Sequence, residues 1–214
     1  MMDEVLKKIG ELRLVPVVKI EDSRNSVSLG RALKDGNLPI AEITYRTNAA
    51  EEAIRILTAE LPEILVGAGT VLTIDQVKSA VGAGARFIVA PGFNPKVVDY
   101  CIAHSIVIIP GVNNPSQIER ALESRLEVVK FFPAEASGGV PFLKAVAAPY
   151  SGIQFLPTGG ISFQNMMSYL SFSRVIACGG SWMVQSDLIS AGKFQAIKRL
   201  CREAVAVIDE HTAK

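Results

Sequence analysis

The stretch EVVKFFPAE, residues 127–135, sets Lys130 inside an apolar run. Side chains alternate along a strand, so Val128, Lys130 and Phe132 share one face while Val129 and Phe131 share the other. Burial disfavours the charged form of a lysine, and the free amine can attack a ketone to form an imine. The plainer alternative is a lysine whose stem is buried and whose head reaches the rim. Lys19, which ends PVVK, also follows an apolar run. Ile20, Glu21 and Asp22 come next, where a loop and helix start, and that setting suits a solvated or anion-pairing lysine.

A second chemical grouping is EITYRT, residues 42–47. Glu42, Thr44 and Arg46 share a parity, so one face offers a carboxylate, a hydroxyl and a guanidinium. A glutamate in an enclosed site can take and return protons, and an arginine fork fits a substrate carboxylate. Glu42 and Arg46 could equally pair with each other. The run GAGT, residues 67–70, adds the Thr70 hydroxyl beside glycines that admit a ligand to the backbone, although a tight turn explains it as well. PTGG (157–160) and CGGS (178–181) end two later strands. Glycine amides at such ends can point at phosphate oxygens without a side chain in the way. Turn glycines remain the alternative for either pair taken alone.

The elements that must position these residues repeat one unit. Short β-branched runs fall at 14–19, 40–44, 64–69, 86–92, 106–111, 127–132, 153–160 and 174–180, with helix-like segments between them. Helix starts are marked by Asp75, by Asn94 with Pro95 and by Asn114 with Pro115. Most strands are apolar throughout, as a parallel sheet covered on both faces requires. Eight strand–helix units predict an α/β fold, a single (β/α)8 TIM barrel with an extra N-terminal helix, spanning 1–214 as one domain. A doubly wound open sheet is the alternative, weakened because no GxGxxG follows the first strand. In a barrel, polar residues at the carboxyl ends of strands are active-site candidates.

Composition narrows the function classes. The 22 basic and 21 acidic residues leave a formal net charge of +1, which argues against a nucleic-acid surface. No apolar run approaches the roughly 20 residues that span a bilayer. The first residues lack an apolar signal core, and the chain reads as cytoplasmic. Three cysteines without CxxC spacing speak against a zinc site or a disulfide framework. His104 and His211 form no ligand spacing and fall at no strand end, which disfavours both metal chemistry and a Ser/His/Asp mechanism.

Taken in order, EITYRT, VGAGTVL, APG, IPG, VVKFFPAE, PTGGIS and GGSW resemble the bacterial 2-keto-3-deoxy-6-phosphogluconate (KDPG) aldolases, also called 4-hydroxy-2-oxoglutarate aldolases, from about residue 10 to 208. The resemblance implies a class I, metal-independent lyase without a cofactor, commonly a homotrimer, acting on a phosphorylated 2-keto acid and releasing pyruvate. Lys130 resembles the Schiff-base lysine and Glu42 the acid/base glutamate. Arg46 and Thr70 resemble the groups that hold the pyruvate carboxylate, and Pro91 resembles a proline at the pyruvate end. Phe132 and Thr158 are similar to further substrate contacts, while Gly159, Gly160, Gly180 and Ser181 match the phosphate site. The galactonate-epimer aldolases share much of the pattern, and a non-catalytic phosphosugar-binding barrel is the reading from another class. Two small departures are Tyr45, where a leucine is common, and the paired asparagines of GVNNPSQ, where small or hydroxylated residues are common, in a loop that could face the active-site mouth and leaves aldehyde selectivity open.

Overall fold

The computed structural model describes residues 2–212. Among the described residues nine strands are interspersed with α-helices. The strands are β1 (Leu14–Val18), β2 (Ile40–Thr44), β3 (Leu65–Gly69), β4 (Phe87–Val89), β5 (Val107–Ile109), β6 (Gly111–Val112), β7 (Val128–Phe131), β8 (Gln154–Pro157) and β9 (Cys178–Gly180). The helices are α1 (Met2–Leu12), α2 (Ser26–Asp35), α3 (Ala50–Glu60), α4 (Ile74–Gly82), α5 (Pro95–Ala103), α6 (Pro115–Glu123), α7 (Gly139–Ala147), α8 (Met166–Leu170), α9 (Ser186–Ser190) and α10 (Phe194–Thr212).

Local chemistry explains the helix starts. Asn94 and Asn114 accept from the N–H groups of Lys96 and Gln117, and a proline occupies the first turn each time. For α4 the cap is Thr73, which accepts from the Gln76 N–H, and Asp75 falls in the first turn, where a negative charge complements the helix dipole.

All ladders are parallel, but they do not make the closed eight-stranded barrel that the repeat of strands predicts. A six-stranded sheet runs β5-β4-β3-β2-β1-β9, and a three-stranded sheet runs β6-β7-β8. Two prolines account for the breaks. Pro110, which has no N–H, divides one predicted strand into β5, which pairs with β4, and β6, which pairs with β7. At the other seam only the isolated bridges Phe155↔Val175 and Thr158↔Gly179 join β8 to the segment that ends in β9. Gln154 and Thr158 donate towards β7, to the Glu127 and Phe131 carbonyls, whereas Phe155 donates to the Arg174 carbonyl on the opposite side. Position 157 therefore faces β9, and proline there has no hydrogen to donate. Of the predicted strand 174–180, only Cys178–Gly180 forms one.

The interior is apolar and continuous between sheets and helices. Among the described residues the buried polar or charged side chains are Ser26, Glu42, Thr44, Lys130 and Thr158. Four of them sit on, or just past, β2, β7 and β8. A buried charge is costly unless paired, so their collection there marks a site and not a packing accident.

Candidate active site

Strand register builds the centre. Glu42 lies in β2 between Val17 of β1 and Gly67 of β3, and Lys130 lies in β7 between Gly111 and Leu156. Across the gap between the two sheets, Lys130 Nζ stands 3.5 Å from Glu42 Oε1, with the two side chains 6% and 0% exposed. The ammonium also lies 5.2 Å from the centroid of the Phe132 ring. On the opposite face of the strand, Phe131 stacks on Phe142 of α7 at 6.0 Å. The alternation read from the sequence is therefore the alternation in space.

Glu42 is accommodated because Gly69, at the end of β3, has no side chain. A Cβ at position 69 would stand 2.6 Å from Glu42 Cγ and 2.7 Å from Cδ. The second carboxylate oxygen, Oε2, is buried and has no hydrogen-bond partner among the described residues, and neither has the Thr158 hydroxyl. Buried polar atoms are nearly always satisfied, so orphaned ones beside a cleft are a mark of function.

Arg46 does not pair with Glu42. Its Nε donates to Thr44 Oγ1 at 3.1 Å, and the Thr44 hydroxyl donates to the Val18 carbonyl at 2.8 Å. Thr44 thus sets the base of an otherwise exposed guanidinium. Thr70 has φ +55°, a left-handed conformation that costs a β-branched residue free energy. Gly159 and Gly160 turn the chain after β8 at φ +95° and +81°. No backbone carbonyl among the described residues receives either N–H, which leaves both amides available.

Glu42, Arg46, Thr70, Pro91, Lys130, Phe132, Thr158, Gly159, Gly160, Gly180 and Ser181 all line one cleft of about 260 Å3. An amine, a carboxylate, a guanidinium and a glycine turn converge there. Such a set can attack a carbonyl, move a proton and hold anionic groups at two ends.

A family model for KDPG and KHG aldolases matches residues 3–200. The chain belongs to the KDPG and KHG aldolase family. The 2-dehydro-3-deoxy-phosphogluconate aldolase of Haemophilus influenzae is 46% identical over 205 residues, covering 96% of this chain and 97% of that protein. KDPG aldolase from Legionella pneumophila, solved with pyruvate captured at low pH as a covalent carbinolamine intermediate, has a TM-score of 0.88 and 35% identity. That match covers 92% of this chain and 97% of the other. The 2-keto-3-deoxy-6-phosphogluconate aldolase of Zymomonas mobilis ZM4, solved with 3-phosphoglycerate, also gives a TM-score of 0.88, at 36% identity over 96% of this chain and 97% of the other. The protein is accordingly an enzyme, a carbon–carbon lyase of the aldolase type.

Other positions singled out in the sequence lie outside the cleft. Lys19, the rival amine, is half-buried and ion-paired with the exposed Glu21 at 2.6 Å, as its place at a strand end leads one to expect. The asparagines of GVNNPSQ do not line the cleft: Asn114 caps α6, and the Asn113 N–H is held by Gln117. Tyr45 points away from Glu42, sharing a 2.8 Å hydrogen bond with Ser79, which donates to Glu51 at 2.6 Å. His104 ends α5, stacked on Tyr100 at 4.0 Å. Among the described residues no group of three or more His, Cys, Asp or Glu is placed to hold a metal ion, and no helix is long and apolar enough to cross a membrane.

Of three further lining residues, Gly179 belongs to the CGGS pair already read from the sequence, while Val17 and Ile161 have no chemical signature there. Val17 reaches the cleft through its register opposite Glu42, which only the pairing of β1 with β2 defines.

Proposed function

We propose that the chain is a class I aldolase that cleaves 2-keto-3-deoxy-6-phosphogluconate to pyruvate and glyceraldehyde 3-phosphate through an imine on Lys130. The observation that carries this reading is the buried Lys130 amine 3.5 Å from a buried Glu42 carboxylate, in a cleft that also contains Arg46 and the glycine turn. Binding alone requires no enclosed amine. The family model spans both KDPG and KHG aldolases, which supports 4-hydroxy-2-oxoglutarate, cleaved to pyruvate and glyoxylate, as a second substrate.

Lys130 Nζ, as the free amine, adds to the C2 ketone, and loss of water from the carbinolamine leaves an iminium. Glu42 then takes the C4 hydroxyl proton, directly or through a water. The C4–O electrons form the aldehyde carbonyl, and the C3–C4 bonding pair flows to the iminium nitrogen. Glyceraldehyde 3-phosphate leaves, and the enamine of pyruvate stays on Lys130. Protonation at C3 and hydrolysis release pyruvate and the free lysine. Arg46 and Thr70 hold the substrate carboxylate, Pro91 and Phe132 wall the pyruvate end, and Thr158 offers its hydroxyl to the chain. Gly159, Gly160, Gly180 and Ser181 receive the phosphate, and that remote anchor orients the reacting carbons. Residues 1–214 act as one domain in this reading. The homotrimeric state and cytoplasmic setting rest on the family resemblance, and sedimentation velocity tests the former.

Borohydride reduction in the presence of pyruvate, followed by intact-mass measurement, tests the imine. The parent and Lys19→Met are expected to carry a reduced pyruvyl adduct, and Lys130→Met none. An adduct that survives Lys130→Met assigns the chemistry to another amine. No adduct on any folded sample refutes the imine.

A further inference from the structure

The Gly159–Gly160 turn is gripped from two sides, and both grips lead back to α8. On one side, the Ala134 and Glu135 N–H groups donate to the Thr158 and Gly159 carbonyls at 2.8 and 3.0 Å. The Glu135 stem lies directly against Gly160, where an added Cβ would stand 2.6 Å from both Glu135 Cβ and Cγ. On the other side, Asn165, immediately before α8, donates from Nδ2 to the Gly160 carbonyl at 3.0 Å and accepts the Ser162 N–H at 2.8 Å.

The Glu135 carboxylate raises a problem that Tyr169 answers. A free carboxylate beside Gly160 would repel an anion in the turn. The Tyr169 ring is buried in α8, and its hydroxyl donates to Glu135 Oε1. Burial first, and then the bond to Glu135, push the phenol well above its ordinary range, so it stays a donor at any working pH. Gly139, at the start of α7, sits on the same side, where an added Cβ would be 3.3 Å from Glu135 Oε1 and 3.5 Å from the Tyr169 hydroxyl. The carboxylate head is thus drawn towards α7 and α8 while its stem braces the turn.

We propose that Tyr169 and Asn165 are positioning residues that hold Glu135 and the Gly159–Gly160 turn in the shape that admits the substrate's phosphate, and so set the preference for phosphorylated over unphosphorylated 2-keto acids. This rests on the phosphate site assigned above. Neither side chain lines the cleft, so each acts through the turn and not on the substrate.

The test compares Tyr169→Phe, Asn165→Asp and the Tyr169→Phe/Glu135→Gln double variant with the parent. KM and kcat are measured on 2-keto-3-deoxy-6-phosphogluconate and on 4-hydroxy-2-oxoglutarate, with inorganic phosphate as a competitive inhibitor. Loss of a part-buried hydrogen bond to a charged group predicts a KM for the phosphorylated substrate raised up to about tenfold in Tyr169→Phe, with the phosphate inhibition constant rising in parallel. The kcat on that substrate and the KM for the unphosphorylated one should stay within about twofold, a split that general loss of stability would not produce. Neutralising the freed carboxylate in the double variant should restore part of the lost affinity. Asn165→Asp approaches the same turn from a half-exposed position and should shift the same two constants should Tyr169→Phe fail to fold. Equal changes for both substrates, or none in any folded variant, overturn the positioning role. A parent that neither prefers the phosphorylated substrate nor is inhibited by phosphate overturns the phosphate site, and this inference with it.

Discussion

Replacing Gly69 by alanine should slow the enzyme severely although Gly69 itself does not line the cleft. An ideal Cβ at position 69 stands 2.6 Å from Glu42 Cγ and 2.7 Å from Cδ, whereas carbon atoms rest at about 3.5–4.0 Å. The carboxylate must therefore retreat by about an ångström, and it is fully enclosed. Retreat lengthens a contact to Lys130 that already stands at 3.5 Å. With an effective dielectric of about 20, opening the pair by an ångström forfeits on the order of 1 kcal/mol of attraction. Overpacking adds about 1–3 kcal/mol of destabilisation, and each kcal/mol lowers Tm by about 2–4 °C in a chain of this size. A base misplaced by an ångström loses about a hundredfold in rate. Gly69→Ala is thus expected to lower kcat about a hundredfold while pyruvate trapping on Lys130 by borohydride continues, because the amine is untouched. Gly82→Ala is the control. Nothing lies within 4 Å of its added methyl, it ends α4, and a gain of about 0.5–1 kcal/mol is expected there. A folded Gly69→Ala enzyme with parental kcat would refute the argument that this glycine exists to seat Glu42.

Other perturbations separate the roles in the cleft. Glu42→Gln keeps the shape and removes the base, so kcat in steady-state cleavage should fall about 10²- to 10⁴-fold while imine trapping with pyruvate persists. Thr70→Asn relieves a left-handed backbone that costs a β-branched residue about 1–2 kcal/mol, so thermal unfolding should shift upwards as the KM for pyruvate in the aldol direction rises. Burial pushes the Cys178 and Cys201 thiols up to about 12 and Cys101 up to about 11. Unfolded thiols ionise near pH 8.5 and folded ones keep their protons, so the folded state loses relative stability as pH rises from about 9 towards 12. Urea midpoints measured across that window should fall, and more gently in a Cys178→Ala/Cys201→Ala variant. An equal slope in both would assign the loss to other groups.

Much of the site was legible because chemistry and spacing coincide. A lysine with apolar neighbours on both sides must be either paired or enclosed, and the two-residue period put Lys130 with Phe132, and Glu42 with Thr44 and Arg46, before any partner was known. The glycine pairs at strand ends were singled out by the rule that an anion approaches bare backbone, and both pairs lie in the cleft. These inferences are local, depending on residues within a few positions of each other.

What depended on distant partners was not legible. Whether Glu42 would meet Arg46 or Lys130 was decided by the approach of β2 to β7 across 88 positions of chain, and the outcome was Lys130. The role of Gly69 follows from its lying over a carboxylate on the neighbouring strand, and the bond from Tyr169 to Glu135 spans 34 residues. Closure of the sheet was the clearest divergence. The sequence shows Pro110 and Pro157, but a missing N–H matters only once the register says which neighbour it faces. By itself, then, the sequence determined the alternation of strands and helices, the strand faces and the candidate reactive groups, since these follow from periodicity and side-chain chemistry. The tertiary structure decided the partner of each group, the space left for it and the two seams between the sheets, because those depend on distances between segments far apart along the chain.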